Sequence, residues 1–330
     1  MLSRRVLLGG AACAALAGCG VLPGPAAPTL APTPDPSVPG HAALHALRAA
    51  LDDTLAGALT RGQADLLAWA RDVTDDQFPA VSLAVPDAAA PTPSLVAGPT
   101  PTPSASASVG ADPTPGASAT PAPAPAPAPV PPGLADALAT AAEAFTTQAL
   151  DAATARPVVW ASMAAWCHAV AAQLPDAAGA REPARGVRLP APQEAADAAQ
   201  TALDAADAAR YGLEVAAGAP GLADDEVRAL RARLVFWSGL HADLLGALAT
   251  ASASPSPAPP WYAVERPADA AAGRALAARL QASALPVLGR TLAHGPADLR
   301  PVLASALGDV AADVPRWGGL LERWPGLPTT

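Results

Sequence analysis

The residues best able to ligate a metal are few and far apart. The chain has five histidines, and His41 and His45 stand four positions apart. This spacing places two imidazoles on one face of a helix and suits a metal ion. No Glu lies between them and no third ligand is evident, so we expect two surface histidines.

His241 lies on an apolar helical stripe, and three carboxylates occupy the preceding predicted helix. The stripe predicts a core histidine that is hydrogen-bonded to Asp204, Asp207 or Glu214. The alternative is a mononuclear metal site built from all four side chains. Inward convergence of the four distinguishes a metal site from a packed histidine.

The beginning of the chain is typical of an export signal. Arg4 and Arg5 precede an apolar run over residues 6–17, which is too short to cross a hydrocarbon core of ~30 Å as a helix. The run ends in a string that resembles the lipobox of bacterial lipoproteins, Leu16-Ala17-Gly18-Cys19. The resemblance implies cleavage after residue 18 and a diacylglyceryl group on Cys19. The alternative is an ordinary secretory leader with a chance cysteine.

Residues 3–8 also resemble a twin-arginine export motif, although Gly9 stands where a Lys is common. The alternative is a general secretory leader that happens to carry Arg4 and Arg5. Two acyl chains anchor a protein stably to a bilayer, and no later stretch is long and apolar enough for a transmembrane helix. We therefore expect the protein at the outer face of the cell membrane, with the bilayer as its partner through Cys19.

Cys167 is the one cysteine that we expect to keep a free thiol after export. The chain has three cysteines; Cys13 would leave with the leader and lipid would occupy Cys19, so no intramolecular disulfide is expected. An apolar helical stripe that includes Trp160 predicts that Cys167 is a small buried residue. A reactive thiol would need an activating partner, and the adjacent His168 points in another direction on a helix.

Composition excludes one class of partner. The formal charge is −9, and it becomes more negative when the leader arginines leave. Nucleic-acid binding requires a basic surface, so we expect no nucleic-acid partner. The chain lacks Gly-x-Ser-x-Gly, Cys-x-x-Cys and a phosphate-binding Gly-rich loop, so no catalytic residues, no enzyme activity and no cofactor beyond the lipid are expected.

Apolar periodicity predicts an all-α protein. A Pro-rich tether (19–40) follows the signal peptide (1–18). An N-terminal helical region (41–78 and 133–175) surrounds a disordered insertion rich in Pro, Ala, Ser and Thr (79–132). A linker (176–192) leads to four helices (193–324) and a tail (325–330).

Glycine and proline refine these elements. We expect Gly62 to interrupt the first helical stretch. Pro157 and Pro301 suit first turns, whereas Pro286 and Pro315 should kink their helices.

The C-terminal part resembles a ferritin-like domain family of unknown function that occurs in lipoproteins of high-GC Gram-positive bacteria. The resemblance covers roughly residues 193–328. It is carried by Asp204, Tyr211-Gly212, Ala216-Ala217-Gly218, Tyr262, Pro267, the run Ala275 to Leu280, and Trp324 to Pro328. It implies a ferritin-like four-helix bundle with no established activity.

A di-iron centre in such a bundle needs Glu-x-x-His on two helices. No Glu-x-x-His occurs in the chain; Gln281 stands where an acid is expected, and Ser238 precedes His241 by three residues. We therefore expect a non-enzymatic envelope lipoprotein that binds a protein partner or a small apolar ligand, or that holds an assembly together. The alternative is a degenerate ferritin-like metal binder or oxidase that uses Asp204, Asp207, Glu214 and His241.

Overall fold

The computed structural model describes residues 40–82 and 132–328, except 152, 155, 178, 185, 260 and 261. The chain divides into two units, Met1–Pro34 and Asp35–Thr330, and everything described here belongs to the second. The described residues form α-helices with two short 3₁₀ turns and one isolated bridge, so the all-α prediction is confirmed. The helices are α1 (His41–Leu55), α2 (Arg61–Ser82), α3 (Pro132–Leu150), α4 (Pro157–Gln173), α5 (Ala195–Ala217), α6 (Asp224–Thr250), α7 (Ala270–His294) and α8 (Arg300–Asp313).

The break between α1 and α2 falls at residues 56–60, not at Gly62 as predicted. The start of α2 is fixed by a reciprocal pair of hydrogen bonds. The Gln63 backbone N–H donates to Thr60 Oγ1 (3.2 Å), and the Thr60 N–H donates to Gln63 Oε1 (3.1 Å). This capping box stabilises the first turn of a helix. Gly62 therefore lies inside that turn.

Helix α4 is the centre of the described fold. Thirteen of its 17 residues are buried, as is expected of a helix that is apolar on every side. It packs against α3 on one side and α8 on the other, and it also touches α7 and α2. Helix α8 contacts α4 more extensively than it contacts α7. The predicted N-terminal region and C-terminal bundle therefore share one core.

Helix α5 lies between α6 and α7, and α7 continues the packing to α8. The close approach of α5 to α7 depends on Gly212, because a Cβ there would collide with the Leu280 side chain. A second close approach joins α7 to the end of the chain, where a Cβ on Gly289 would collide with the Gly326 carbonyl. Two residues of the family resemblance thus lie at close contacts: Gly212 faces the Leu280 side chain, and Gly326 meets the backbone of Gly289.

The end of the chain differs from its prediction. Helix α8 ends at Asp313 instead of continuing to residue 323, and Pro315 begins a 3₁₀ turn instead of kinking a helix. Gly318 follows with φ of 87°. From residue 319 to 328 the chain forms what we call the closing segment, in which Trp324 and Leu327 are buried. The described part of the predicted tail, residues 325–328, therefore packs against the core.

The predicted linker is also structured. Residues 180–188, apart from 185, form a strap that pairs with the closing segment. The Leu321 N–H donates to the Ala180 carbonyl and the Glu182 N–H donates to the Leu321 carbonyl, both at 2.9 Å. Trp69 of α2 donates its indole N–H to the Glu182 carbonyl at 2.9 Å. The strap therefore connects the last residues to the first helices.

The remaining predictions about helices have mixed outcomes. Pro157 and Pro301 occupy first turns, as predicted. Helix α7 continues through Pro286, and α2 continues through Pro79 to Ser82, beyond its predicted end. No described helix is both long and apolar enough to cross a membrane. The signal peptide, almost all of the tether and most of the predicted insertion lie outside the described residues.

Candidate functional site

The predicted cluster around His241 is only partly assembled. His241 Nε2 lies 3.2 Å from Asp207 Oδ1, so the predicted partnership with a carboxylate is present. Asp204 instead accepts a hydrogen bond from Gln200 Nε2 at 2.7 Å, and Glu214 is exposed. The four candidate ligands do not converge. Among the described residues no group of three or more His, Cys, Asp or Glu side chains could hold a metal ion.

His241 was predicted to lie in the core, and this is wrong. Its side chain is 21% exposed. Asp207 also pairs with Arg210, one turn further along α5, at 3.2 Å. The result is a half-buried polar cluster where α5 packs against α6.

Two tyrosines lie beside this cluster. The ring centroids of Tyr211 and Tyr262 are 5.4 Å apart. Burial raises the pKa of Tyr262, and the negative charges of Asp207 and Asp204 raise it further. The phenol therefore stays neutral at physiological pH, so Tyr262 acts there as a packed aromatic and not as a base.

A buried carboxylate that the sequence analysis missed lies at the end of α8. Asp313 Oδ2 accepts hydrogen bonds from Trp317 Nε1 at 2.7 Å and from Gln281 Nε2 at 2.9 Å, and Arg233 Nε lies 2.9 Å away. We call these four residues the Asp313 hub. Gln281, which stands where an acid was expected, is fully buried and serves as a donor to Asp313. The hub holds α6, α7 and α8 together.

An apolar groove of about 330 Å³ runs between α3 and α4. Leu138, Ala142 and Leu150 form one wall, and Cys167 and Ala171 form the other. Leu150 is 39% exposed, which is unusual for a large apolar side chain in this chain. Two threonines, Glu143 and His168 add polar groups to the lining.

Cys167 is buried, as predicted. Burial raises the pKa of its thiol far above the usual range, and a protonated thiol is a poor nucleophile. The neighbouring His168 is exposed. Cys167 therefore contributes an apolar surface to the groove.

The prediction of surface histidines at His41 and His45 is wrong. His41 is buried and His45 is partly buried, with their ring centroids 4.8 Å apart. Both rings contact Phe78 of α2, at 5.7 and 4.5 Å. Burial lowers the pKa of His45, and the charges of His41 and Arg48 lower it further. These histidines pack α1 against α2.

A second group of acidic residues lies at the strap and the closing segment. Burial raises the pKa of Glu322 to about 8, and the nearby Glu182 raises it as well. Glu182 accepts a hydrogen bond from the Arg323 backbone N–H at 3.0 Å, and the Arg323 side chain forms an ion pair with Asp76 of α2. Sequence alone gave no reason to bring these positions together, because they are far apart along the chain.

The predicted export and lipidation residues lie outside the described residues. These are Arg4, Arg5, Leu16, Ala17, Gly18 and Cys19. They remain predictions from the sequence.

Comparison with known proteins identifies no relative. No family model, no curated protein and no solved structure matches the chain. The ferritin-like resemblance therefore stays a prediction, and the function must be argued from the residues themselves.

Proposed function

We propose that the chain is an exported lipoprotein, held at the outer face of the cell membrane by diacylglyceryl lipid on Cys19. The Leu16-to-Cys19 string directly after the apolar run supports this proposal, and Arg4 and Arg5 favour the twin-arginine route. The two acyl chains of such a group suffice for stable anchoring.

Replacement of the lipidated cysteine tests the anchor. Cys19→Ala should release the protein from the membrane fraction or leave an uncleaved precursor, since the thiol is the acceptor for the lipid. Fractionation and the mature mass, with Cys13→Ala as the matched control, measure this. Membrane association of the Cys19→Ala variant at the mature size would contradict the proposal.

We propose further that the helical body is a non-enzymatic binding protein whose ligand is a small apolar molecule. The observation that carries this is the groove between α3 and α4. Its volume, about 330 Å³, lies at the lower end of the range for small-molecule sites, which are mostly apolar with a few polar groups. The exposed Leu150 side chain favours the same reading, because burial of apolar surface by a ligand is stabilising.

The side chains with the most reactive functional groups support a binding role over a catalytic one. The Cys167 thiol is held protonated by burial. The Asp313 carboxylate is occupied by three donors of the chain itself. The residues of the family resemblance that make close contacts, such as Gly212, serve helix packing.

The fold proposal concerns α5 to α8. We propose that they form a ferritin-like four-helix bundle to which α4 is added through α8. The packing of α5 against α6 and α7, and of α7 against α8, supports this. The contact between α6 and α8 is slight, so the bundle would be open on that side.

A substitution that fills the groove tests the ligand proposal. Ala139 lines the groove and is exposed, so Ala139→Trp should occupy the ligand volume without disturbing the core. We expect saturable fluorescence of Nile red in wild type and at least a tenfold weaker apparent affinity in this variant. Thr140→Trp is the control, since Thr140 is exposed on the same helix outside the groove lining. Equal affinity of both variants would refute the proposal.

The second candidate function is a degenerate ferritin-like metal binder or oxidase. The contact between His241 and Asp207, 3.2 Å, is the observation that favours it. A metal that binds the native state raises the midpoint of thermal unfolding. If added Zn²⁺ raises this midpoint in wild type but not in His241→Leu, the metal-binding function is to be preferred.

A further inference from the structure

A polar cleft lies at the C-terminal end of α4, and its lining shares no residue with the apolar groove. Its volume is about 770 Å³, and the end of α4, the strap, the first part of α7 and the turn after α8 surround it. Arg274 and Arg316 line it together with Gln173 and Asp176. Two guanidinium groups in one cleft are notable in a chain with a formal charge of −9.

Arg316 is supported by the aromatic ring of its neighbour. The guanidinium carbon lies 5.5 Å from the ring centroid of Trp317, a cation–π distance. Trp317 is itself buried and donates its indole N–H to Asp313 at 2.7 Å. The Asp313 hub thus orients the Trp317 ring against which the Arg316 guanidinium packs. No ion pair joins Arg316 to a carboxylate within the part of the chain that is described.

Arg274 is oriented by Glu226, which lies outside the cleft lining. Its Nη1 donates to Glu226 Oε1 at 2.9 Å, while Glu226 Oε2 accepts the Ala223 backbone N–H at 2.9 Å. The Ala223 N–H and then Arg274 lower the pKa of Glu226, and Arg316 lowers it further. Glu226 therefore stays ionised beside Arg274 and offsets one of the two guanidinium charges.

The opposite wall has a different character. Asp176 is exposed there, and Gln173 lies beside it. A polyanion would be repelled by Asp176, whereas a ligand with one anionic end and hydrogen-bond donors at its other end would match both walls. The cleft volume lies within the range of small-molecule sites.

We propose that this cleft binds a small organic acid whose single oxyanion, a carboxylate or a phosphate, is held by Arg316 with Arg274, while its donor groups face Asp176 and Gln173. The planar fork of a guanidinium matches either oxyanion through two parallel hydrogen bonds. This site is separate from the apolar groove, so neither proposal depends on the other.

Anion titration of the full-length protein tests the cleft. The indole N–H resonance of Trp317 reports on it, since Trp317 lies under Arg316; a Trp317→Phe spectrum assigns it. Inorganic phosphate and acetate are added in separate arms, with sodium chloride keeping the ionic strength constant. We expect a saturable shift in at least one arm, and the arm that saturates at the lower concentration identifies the oxyanion.

Three variants make the test specific. Arg316→Gln should weaken binding of that anion about tenfold, because a charge-assisted pair of hydrogen bonds is lost. Ala172→Trp, at an exposed position in the lining, should also weaken it by filling the cleft. Arg279→Gln, an exposed arginine of α7 outside the cleft, should not change it. A shift no larger than chloride produces, or one that persists unchanged in Arg316→Gln or Ala172→Trp, would overturn the proposal.

Discussion

Asp313 and Asp207 are both helical aspartates with a basic partner on α6, yet they differ in what surrounds them. Asp313 is buried and takes its partners from three other parts of the chain, at Arg233, Gln281 and Trp317. Asp207 lies where α5 packs against α6, and its partners are Arg210 of its own helix and the half-buried His241. The sequence pointed to Asp207 and overlooked Asp313. A carboxylate on a helix next to one that carries a histidine can be recognised in the sequence, whereas a carboxylate that organises the core through distant partners cannot.

The largest effect is expected at Asp313. Asp313→Ala leaves Arg233 without its buried partner and leaves two further donors unsatisfied. Breaking a buried ion pair costs roughly 3–5 kcal/mol of the free energy of unfolding. Urea denaturation followed by circular dichroism measures this. Asp309→Ala, at an exposed position of the same helix, should change it by less than about 0.5 kcal/mol. A loss below about 1 kcal/mol for Asp313→Ala would show that the hub contributes little.

Glu322 contrasts with both aspartates. It is a largely buried carboxyl, and the nearby charged group that shifts its pKa is the acidic Glu182 and not a cation. Its pKa is raised from 4.5 to about 8 on folding. Between these values the unfolded chain is ionised and the folded chain is protonated. The free energy of unfolding should therefore fall as pH rises from about 4.5 to 8, and then level off.

Glu322→Gln should remove this dependence and stabilise the protein by about 2 kcal/mol at pH 8, a value discounted for residual solvent screening. Thermal unfolding at several pH values measures it. The exposed Glu265→Gln serves as the matched control. A wild-type stability that rises over this pH window relative to Glu322→Gln would contradict the expectation.

The smallest effect is expected at the boundary pair. Partly exposed ion pairs contribute about 0–1 kcal/mol. A double-mutant cycle with His241→Leu and Asp207→Leu should therefore give a coupling below about 1 kcal/mol. A matched cycle with Asp204→Leu should give none, because Asp204 bonds to Gln200. A coupling of several kcal/mol at Asp207 would make this pair as important as the hub.

Local features of the fold could be predicted from the sequence. The 3–4 residue spacing of five leucines predicts one apolar helix face, formed by Leu44, Leu47, Leu51, Leu55 and Leu59. The first three are buried, whereas Leu55 and Leu59 are partly exposed at and beyond the end of α1. Such a pattern depends only on helix geometry, so neighbours along the chain are enough. Pro157 at a first turn and the burial of Cys167 follow for the same reason.

Features that depend on distant partners could not be predicted. His41 and His45 resemble a surface pair until Phe78 covers them. In the sequence Asp313 resembles an ordinary polar residue at a helix end, and its role follows only from the contacts with Arg233 and Gln281 of other helices. The strap is predicted as a linker because its Pro and Arg residues show no periodicity, and it is structured through contacts with distant residues, among them its pairing with residue 321 and the hydrogen bond from Trp69. In each case the deciding contact spans dozens of residues or more.

The pairing of the strap with the closing segment has a consequence for when the protein can fold. Arg323 forms an ion pair with Asp76, which lies 247 residues earlier, and its backbone N–H bonds to Glu182. Helix α2 thus receives one of its contacts from a residue that is synthesised 247 positions later. Domains that need only early residues can fold during synthesis, but α2 cannot complete its packing until residue 323 has left the ribosome. Export of the folded body, as the proposed twin-arginine route would require, could therefore start only after that point.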